Sequence, residues 1–147
     1  MCGIAGVWRF LNDWSEEELK SISMKMASSL HHRGPDASDN VVLPRVGIAL
    51  AHTRLSIIDT TSKGSQPMVS SCGNYVIVYN GEVYNAIELR KELIERGAKF
   101  RGESDTEVLI EAISKFGVEK AVKYINGMFA FAVYDKKTMF YGWPAIE

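Results

Sequence analysis

Met1-Cys2-Gly3-Ile4-Ala5-Gly6-Val7-Trp8 opens the chain, and its reading decides what the rest can be. Ile4, Ala5 and Val7 set among two glycines suit a buried strand, expected over residues 3–10, with Gly3 and Gly6 marking backbone that something else approaches closely. The position of Cys2 carries the chemistry. Removal of Met1 would leave one residue with a thiol nucleophile and, on its own backbone, an amine titrating near about pH 7.7–8.0. Such an amine can act as the base that activates the nucleophile, directly or through a water. Small residues also follow Met1 for an unrelated reason, because they favour its removal, so the placement of Cys2 alone leaves its role open.

Outward from this stretch, 147 residues with 46% apolar and 24% charged content describe one globular domain with a core of its own. A second catalytic domain does not fit. Seventeen basic residues scattered among 18 acidic ones, net charge -1, give no electrostatic footprint for nucleic acid or an anionic membrane. No apolar run approaches the roughly 18 residues of a spanning helix, no signal-peptide plan precedes the strand, and a cytoplasmic protein is expected. The two cysteines, Cys2 and Cys72, form no CxxC pair. Structural zinc and a disulfide are therefore not expected, and Cys72 reads as an incidental loop thiol.

Ser15-Glu16-Glu17-Glu18 predicts a capping box before a helix packed through Leu19, Ile22, Met26 and Leu30. Strands are expected over residues 46–52 and 75–79, the second ending at Asn80-Gly81. Asn85 is placed to cap a helix carrying Ile87, Leu89, Leu93 and Ile94 that stops at Gly97, and Ser104-Asp105-Thr106-Glu107 forms a second capping box before Val108, Leu109, Ala112 and Ile113. A short helix over residues 118–124 leads into a strand over 128–134, and a weaker signal around Met139-Phe140-Tyr141 is broken by Gly142-Trp143-Pro144. Strands at both ends and in the middle, with helices grouped between them, give an α+β fold.

Four polar clusters sit at element ends: residues 31–36, 52–59, 80–85 and 102–107. The Asn80 amide and the unencumbered Gly81 N–H could converge on one oxyanion, whereas an Asn-Gly pair read alone is the strongest short hairpin signal. Arg54 offers a planar fork to a carboxylate or a surface ion pair. Asp105 complements a helix dipole or binds an ammonium. His31 and His32 lack the spacing of a metal pair, and no metal is expected.

In this order, Cys2, Arg33-Gly34-Pro35-Asp36, Arg54-Leu55-Ser56-Ile57-Ile58-Asp59, Gln66-Pro67-Met68, Tyr79-Asn80-Gly81-Glu82-Val83-Tyr84-Asn85 and Ser104-Asp105-Thr106-Glu107 resemble the glutaminase domain of class II glutamine amidotransferases, within the N-terminal nucleophile hydrolases. The set is most similar to the asparagine synthetase branch and covers residues 1–140. The resemblance implies a four-layer αββα sandwich. It implies that Cys2 attacks the side-chain amide of glutamine once Met1 is removed, with Asn80 and Gly81 as the oxyanion hole. Arg54, Glu82, Asp105 and the main chain near Leu55 and Ile57 would bind the substrate.

Residues 141–147 depart from the family pattern, in which further strands follow, so the closing strands are expected to be incomplete. Family members also carry a synthetase domain that binds ATP and Mg²⁺ through a Ser-Gly-Gly-x-Asp-Ser loop and consumes the ammonia. That loop is absent from this sequence, so no cofactor is expected for the domain itself, and its partner would be a synthetase domain or subunit. Two other readings stand beside this one. A module of the same fold could bind an amino acid or a partner without turnover, or an N-terminal cysteine amidase could act on another amide. Two acids and a guanidinium suit a small zwitterion better than an apolar acyl chain.

Overall fold

A computed structural model describes residues 2–11, 13–56 and 61–138, and the backbone of 141–142 and 145–146. The chain divides into two compact units, Met1–Ser56 and Ile57–Glu147.

In the first unit Gly3–Trp8 forms strand β1, Glu16–Ser29 helix α1, Ala37–Leu43 strand β2 and Ile48–Arg54 strand β3. They make an antiparallel sheet of order β1-β3-β2, with Gly3 opposite Thr53 and Ala37 opposite Arg54. The predicted capping box of α1 is present: Glu18 N–H donates to Ser15 Oγ at 3.2 Å, and Ser15 N–H to Glu18 Oε2 at 2.7 Å. Its buried residues are Leu19, Ser23 and Ala27, while Ile22, Met26 and Leu30 are only half-buried.

Small side chains explain that shift. Asn40 Nδ2 donates to Ser23 Oγ at 2.7 Å and Thr53 Oγ1 to Leu30 O at 3.2 Å, so these strand residues face α1. Register then puts Gly3, Ala5, Ala49 and Ala51 on the same face. Between small residues on both surfaces, helix and sheet approach closely. A Cβ on Gly3 would lie 2.5 Å from Thr53 Oγ1 and 2.9 Å from Leu30 Cβ, which bears out the close approach expected there.

Strand β2 has no counterpart among the expected elements, because Ala-Ser-Asp-Asn lacks strand composition and its first three residues are exposed on an edge. The expected strand over 46–52 begins later, after a 3-10 turn at Pro44–Val46 that ends on the left-handed Gly47 (φ 67°), and runs on through Arg54.

The second unit carries β4 (Met68–Val69), β5 (Tyr75–Val83), α2 (Ala86–Glu95), α3 (Asp105–Phe116), α4 (Val118–Tyr124), β6 (Gly127–Asp135), β7 (Tyr141–Gly142) and β8 (Ala145–Ile146). The sheet order is β4-β5-β6-β7, with β8 also on β6. Residues 141–142 and 145–146 thus add short pairings, and Trp143 and Pro144 of the expected break at Gly142-Trp143-Pro144 lie outside the described residues. The core joins Ile77, Tyr79 and Val83 of β5 and Phe129, Phe131 and Val133 of β6 to the buried faces of α2 and α3.

Of the apolar residues expected to pack α2, Leu89 and Leu93 are buried, but Ile87 and Ile94 are 68% and 53% exposed. Two residues along a helix is a rotation of about 200°, which turns Ile87 away from Leu89. The helix ends at Gly97 as expected, with Ala98 N–H donating to Leu93 O and Gly97 N–H to Ile94 O, both at 2.9 Å, across a glycine at φ 87°. Asn85 stands at the N-cap but makes no capping bond. Its side chain instead joins the two ends of the α4–β6 junction, donating to Tyr124 O at 2.9 Å and accepting from Asn126 N–H at 2.9 Å.

Helix α3 is buried from Asp105 to Ile113 on every side. The expected second capping box is half formed. Glu107 N–H donates to Ser104 Oγ at 3.3 Å, but the Glu107 carboxylate turns to the Arg101 and Gly102 N–H groups at 2.8 and 2.9 Å. Glu111 likewise receives Ser71 N–H at 2.6 Å and Ser71 Oγ at 2.7 Å, holding the turn before β5. A buried carboxylate persists only where donors replace its water, and main-chain amides do so here. Among the described residues no helix is long and apolar enough to cross a membrane.

Candidate active site

At the start of β1 the half-buried Cys2 lies one residue beyond the last ladder pair, Gly3 with Thr53. Its Sγ accepts Leu55 N–H at 3.4 Å and stands 3.7 Å from Leu55 O as a donor. Arg33 Nε donates to Cys2 O at 3.2 Å, fixing the main chain of the cysteine. In the sequence Arg33 belongs to the Arg33-Gly34-Pro35-Asp36 motif and carries no site role of its own. Its signal was its place in a polar cluster immediately after a helix. The next residue, Gly34, packs against the end of β3 so closely that a Cβ would fall 2.4 Å from Thr53 O. Asp36 closes the arrangement, its Oδ2 accepting Ser56 N–H at 2.7 Å.

Arg54 ends β3 and is 9% exposed. Cys2, Arg54 and Leu55 are thus brought together at one end of the first sheet, while Ile57 lies outside the described residues.

In the second unit the Asn80-Gly81 hairpin does not form. Strand β5 runs through both residues to Val83 in unbroken register with β6, Asn80 opposite Ala130 and Gly81 opposite Phe129. The pair is strand interior because the ladder partner arrives from far along the chain and supplies neighbours that a local turn would lack. A Cβ at Gly81 would lie 2.3 Å from Met128 O and 2.5 Å from Phe129 Cβ, so only glycine fits without parting the strands. Alternation gives the two residues different faces. Gly81 shares the core face with Tyr79 and Val83, and Asn80 and Glu82 point to the other, Asn80 half-buried and Glu82 exposed.

The Gly81 N–H has a defined direction. Tyr79 N–H donates to Gln66 Oε1 at 2.6 Å and Val83 N–H to Asp105 Oδ2 at 3.1 Å, so both point away from β6. Residue 81, midway between them in a strand of period two, directs its own N–H to the same edge.

Asp105 is 7% exposed. Its Oδ2 also accepts Tyr79 OH at 3.0 Å, and Oδ1 accepts Thr106 N–H at 2.9 Å. A carboxylate has about four acceptor sites, so three donors leave room for one more. Asp105 therefore does more than complement a helix dipole, because it fastens the start of α3 to β5 on the far side of Gly81 from Gln66.

Cys72 is exposed and its thiol is hydrogen-bonded. Burial pushes it up, but hydrogen bonding with Ser114 (3.2 Å) and Ser70 (3.3 Å) and from Asn74 Nδ2 (3.4 Å) outweighs that and lowers it from 9.0 to about 7. Cys2 and Cys72 are both free thiols.

Among the described residues, two antiparallel sheets and four helices fit the expected α+β fold, the αββα sandwich of the N-terminal nucleophile hydrolase class. A solved structure of glutamine phosphoribosylpyrophosphate amidotransferase from B. subtilis shares this fold, with a TM-score of 0.72 at 23% identity over 90% of this chain and 35% of that one. Within the class, the chain belongs to the glutamine amidotransferase domain family, whose model matches residues 1–141.

Its relatives include glutamine-hydrolyzing asparagine synthetase 3 of Bacillus subtilis, 41% identical over 139 residues, and asparagine synthetase B of Escherichia coli, 37% identical over 142. Each alignment covers 93% of this chain but only 22% and 24% of those proteins. The chain spans less than a third of the length of the curated relatives it matches.

Proposed function

We propose that this domain hydrolyses glutamine to glutamate and ammonia through a thioester on Cys2, and that a synthetase domain or subunit of the asparagine synthetase kind takes up the ammonia. The observation that carries the reading is the course of β5 through Asn80 and Gly81, which leaves a glycine N–H at a strand edge beside a carboxamide, as an oxyanion hole requires. With Met1 removed, the Cys2 amine takes the thiol proton and the sulfur attacks the amide carbon of glutamine. The resulting oxyanion is held by Asn80 and the Gly81 N–H. As it collapses the amine returns the proton to the leaving nitrogen, ammonia departs, and a thioester remains. Water then adds to the thioester through a second oxyanion, releasing glutamate and restoring the thiol.

Substrate selection follows from charge. Arg54 pairs with the α-carboxylate, Glu82 and the remaining acceptor site of Asp105 take the α-ammonium, and the main chain at Leu55 and Ile57 supplies further contacts. No cofactor enters these steps, since ATP and Mg²⁺ serve only the synthetase reaction.

The test is stoichiometric. Protein shown by intact mass to lack Met1 is expected to yield ammonia and glutamate in equal amounts, and Cys2→Ala to yield neither while retaining the parent melting temperature. Ammonia release by Cys2→Ala at the parent rate would overturn the assignment.

A further inference from the structure

Strand β4 pairs with β5 only at Met68 with Ile77 and Val69 with Val76. Past residue 77 the same edge of β5 presents the N–H groups of Tyr79, Gly81 and Val83. Among the described residues side chains, not a strand, meet the outer two. Gln66 Oε1 accepts Tyr79 N–H at 2.6 Å, and Gln66 Nε2 donates to Thr106 Oγ1 at 3.2 Å. Asp105, the neighbour of Thr106, accepts Val83 N–H at 3.1 Å.

We infer that Gln66 is a positioning residue for the oxyanion hole, an inference that rests on the glutaminase reading. Its side-chain amide has the acceptor and donor of a peptide unit, so it replaces one residue of β4 without continuing the strand. Continuation would cover the Gly81 N–H, whereas an empty place would leave Tyr79 N–H buried and unpaired. With the bond made, the edge is gripped at Tyr79 and Val83 and, among the described residues, open at Gly81. The grip at Tyr79 reaches α3 through Thr106, and the grip at Val83 reaches it through Asp105, so one helix start sets both. A donor held in this way meets a developing charge without first reorganising.

The test compares Gln66→Met, similar in size but unable to accept or donate in this way, with Gln66→Glu, which keeps an acceptor for Tyr79 N–H and loses the donor to Thr106. Gln66→Met should lower kcat for glutamine on the order of tenfold, with KM within about twofold of the parent, because a displaced donor is felt in the transition state. Gln66→Glu should recover most of kcat. Alkylation of Cys2 by iodoacetamide, which forms no oxyanion, should proceed at the parent rate in both. Hydrogen exchange at the Tyr79 amide should accelerate in Gln66→Met and not in Gln66→Glu.

An unchanged kcat in Gln66→Met, no recovery in Gln66→Glu, or a matched fall in kcat and Cys2 alkylation would each overturn the inference. A Met1-processed parent that releases no ammonia would instead overturn the glutaminase reading beneath it.

Discussion

Asp105 holds α3 to β5 and carries the ammonium-binding role proposed for it, and substituting it separates the two. In Asp105→Ala, Tyr79 OH, Val83 N–H and Thr106 N–H all lose their acceptor. Tyr79, Val83 and Thr106 are at most 4% exposed, so water does not readily replace it. At about 1–3 kcal/mol for each unsatisfied buried group, with partial relaxation, the loss is roughly 3–6 kcal/mol. For a domain of this size that corresponds to a melting temperature about 10–20 °C lower. Asp105→Asn keeps one acceptor oxygen, can retain the two bonds to β5, and should lose about half as much.

Charge is absent from both variants, and the substrate reports it. Asp105→Asn should raise KM for glutamine on the order of 10²-fold, since a desolvated ammonium loses its partner. KM for N-acetylglutamine, which has no ammonium, should scarcely move. Differential scanning calorimetry and steady-state kinetics on the two substrates give the four numbers. If Asp105→Ala melts within about 2 °C of the parent, the carboxylate does not fasten α3 to β5 in the way the distances imply. If Asp105→Asn leaves KM for glutamine unchanged, Asp105 does not bind the ammonium.

Asn80→Ala should cost on the order of 10²-fold in kcat with a modest change in KM, read by ammonia release; a lower melting temperature with kcat intact would return Asn80 to structure. Gly34→Ala places a methyl against the Thr53 carbonyl and should destabilise by about 1–3 kcal/mol in a urea titration, while an unchanged midpoint would mean that the 34–36 segment adjusts freely. In a Cys2→Ala background, iodoacetamide alkylation of Cys72 should reach half its maximal rate near pH 7, with the midpoint rising in Ser114→Ala. Because the folded value is the depressed one, the stability contributed by the Cys72 thiolate is full above its unfolded value and is lost as pH falls through about 7. A midpoint of 9.0 would contradict the hydrogen bonds around the sulfur.

The helices were legible because their signals are local. Ser15 and Glu18 cap α1 from four consecutive residues, Gly97 ends α2 through its own backbone, and α4 falls on the expected residues. The candidate site residues stand out in the sequence as types, since a cysteine behind Met1, a carboxamide beside a glycine, an arginine and a carboxylate carry their chemistry wherever they lie. What the sequence did not disclose depends on partners distant in the chain. Asn80-Gly81 reads as a turn until β6 is set beside it. Asn85 reads as a cap until the α4–β6 junction claims its amide. Glu107 completes a capping box on paper, but two backbone amides behind it hold its carboxylate more firmly. Ala37–Leu43 becomes a strand only because β3 offers it an edge.

The ladder between β5 and β6 has a kinetic consequence. Its nine pairs, Tyr75 with Asp135 through Val83 with Gly127, have the geometry of a hairpin, yet α2, α3 and α4 lie between the two strands in the chain. Closing a loop of roughly 40 residues costs only about 1.5 kcal/mol more entropy than closing an eight-residue one, but the pairing cannot begin at a turn and zip. It must begin where the excursion is already compact. Asp105 bonds Tyr79 and Val83 from the first turn of α3, so that turn is the natural clamp for starting register, and a slip of one residue would put Asn80 on the face where Gly81 belongs. The contacts that aim the Gly81 amide in the finished protein are thus the ones that tell the folding chain which way up to lay the strand.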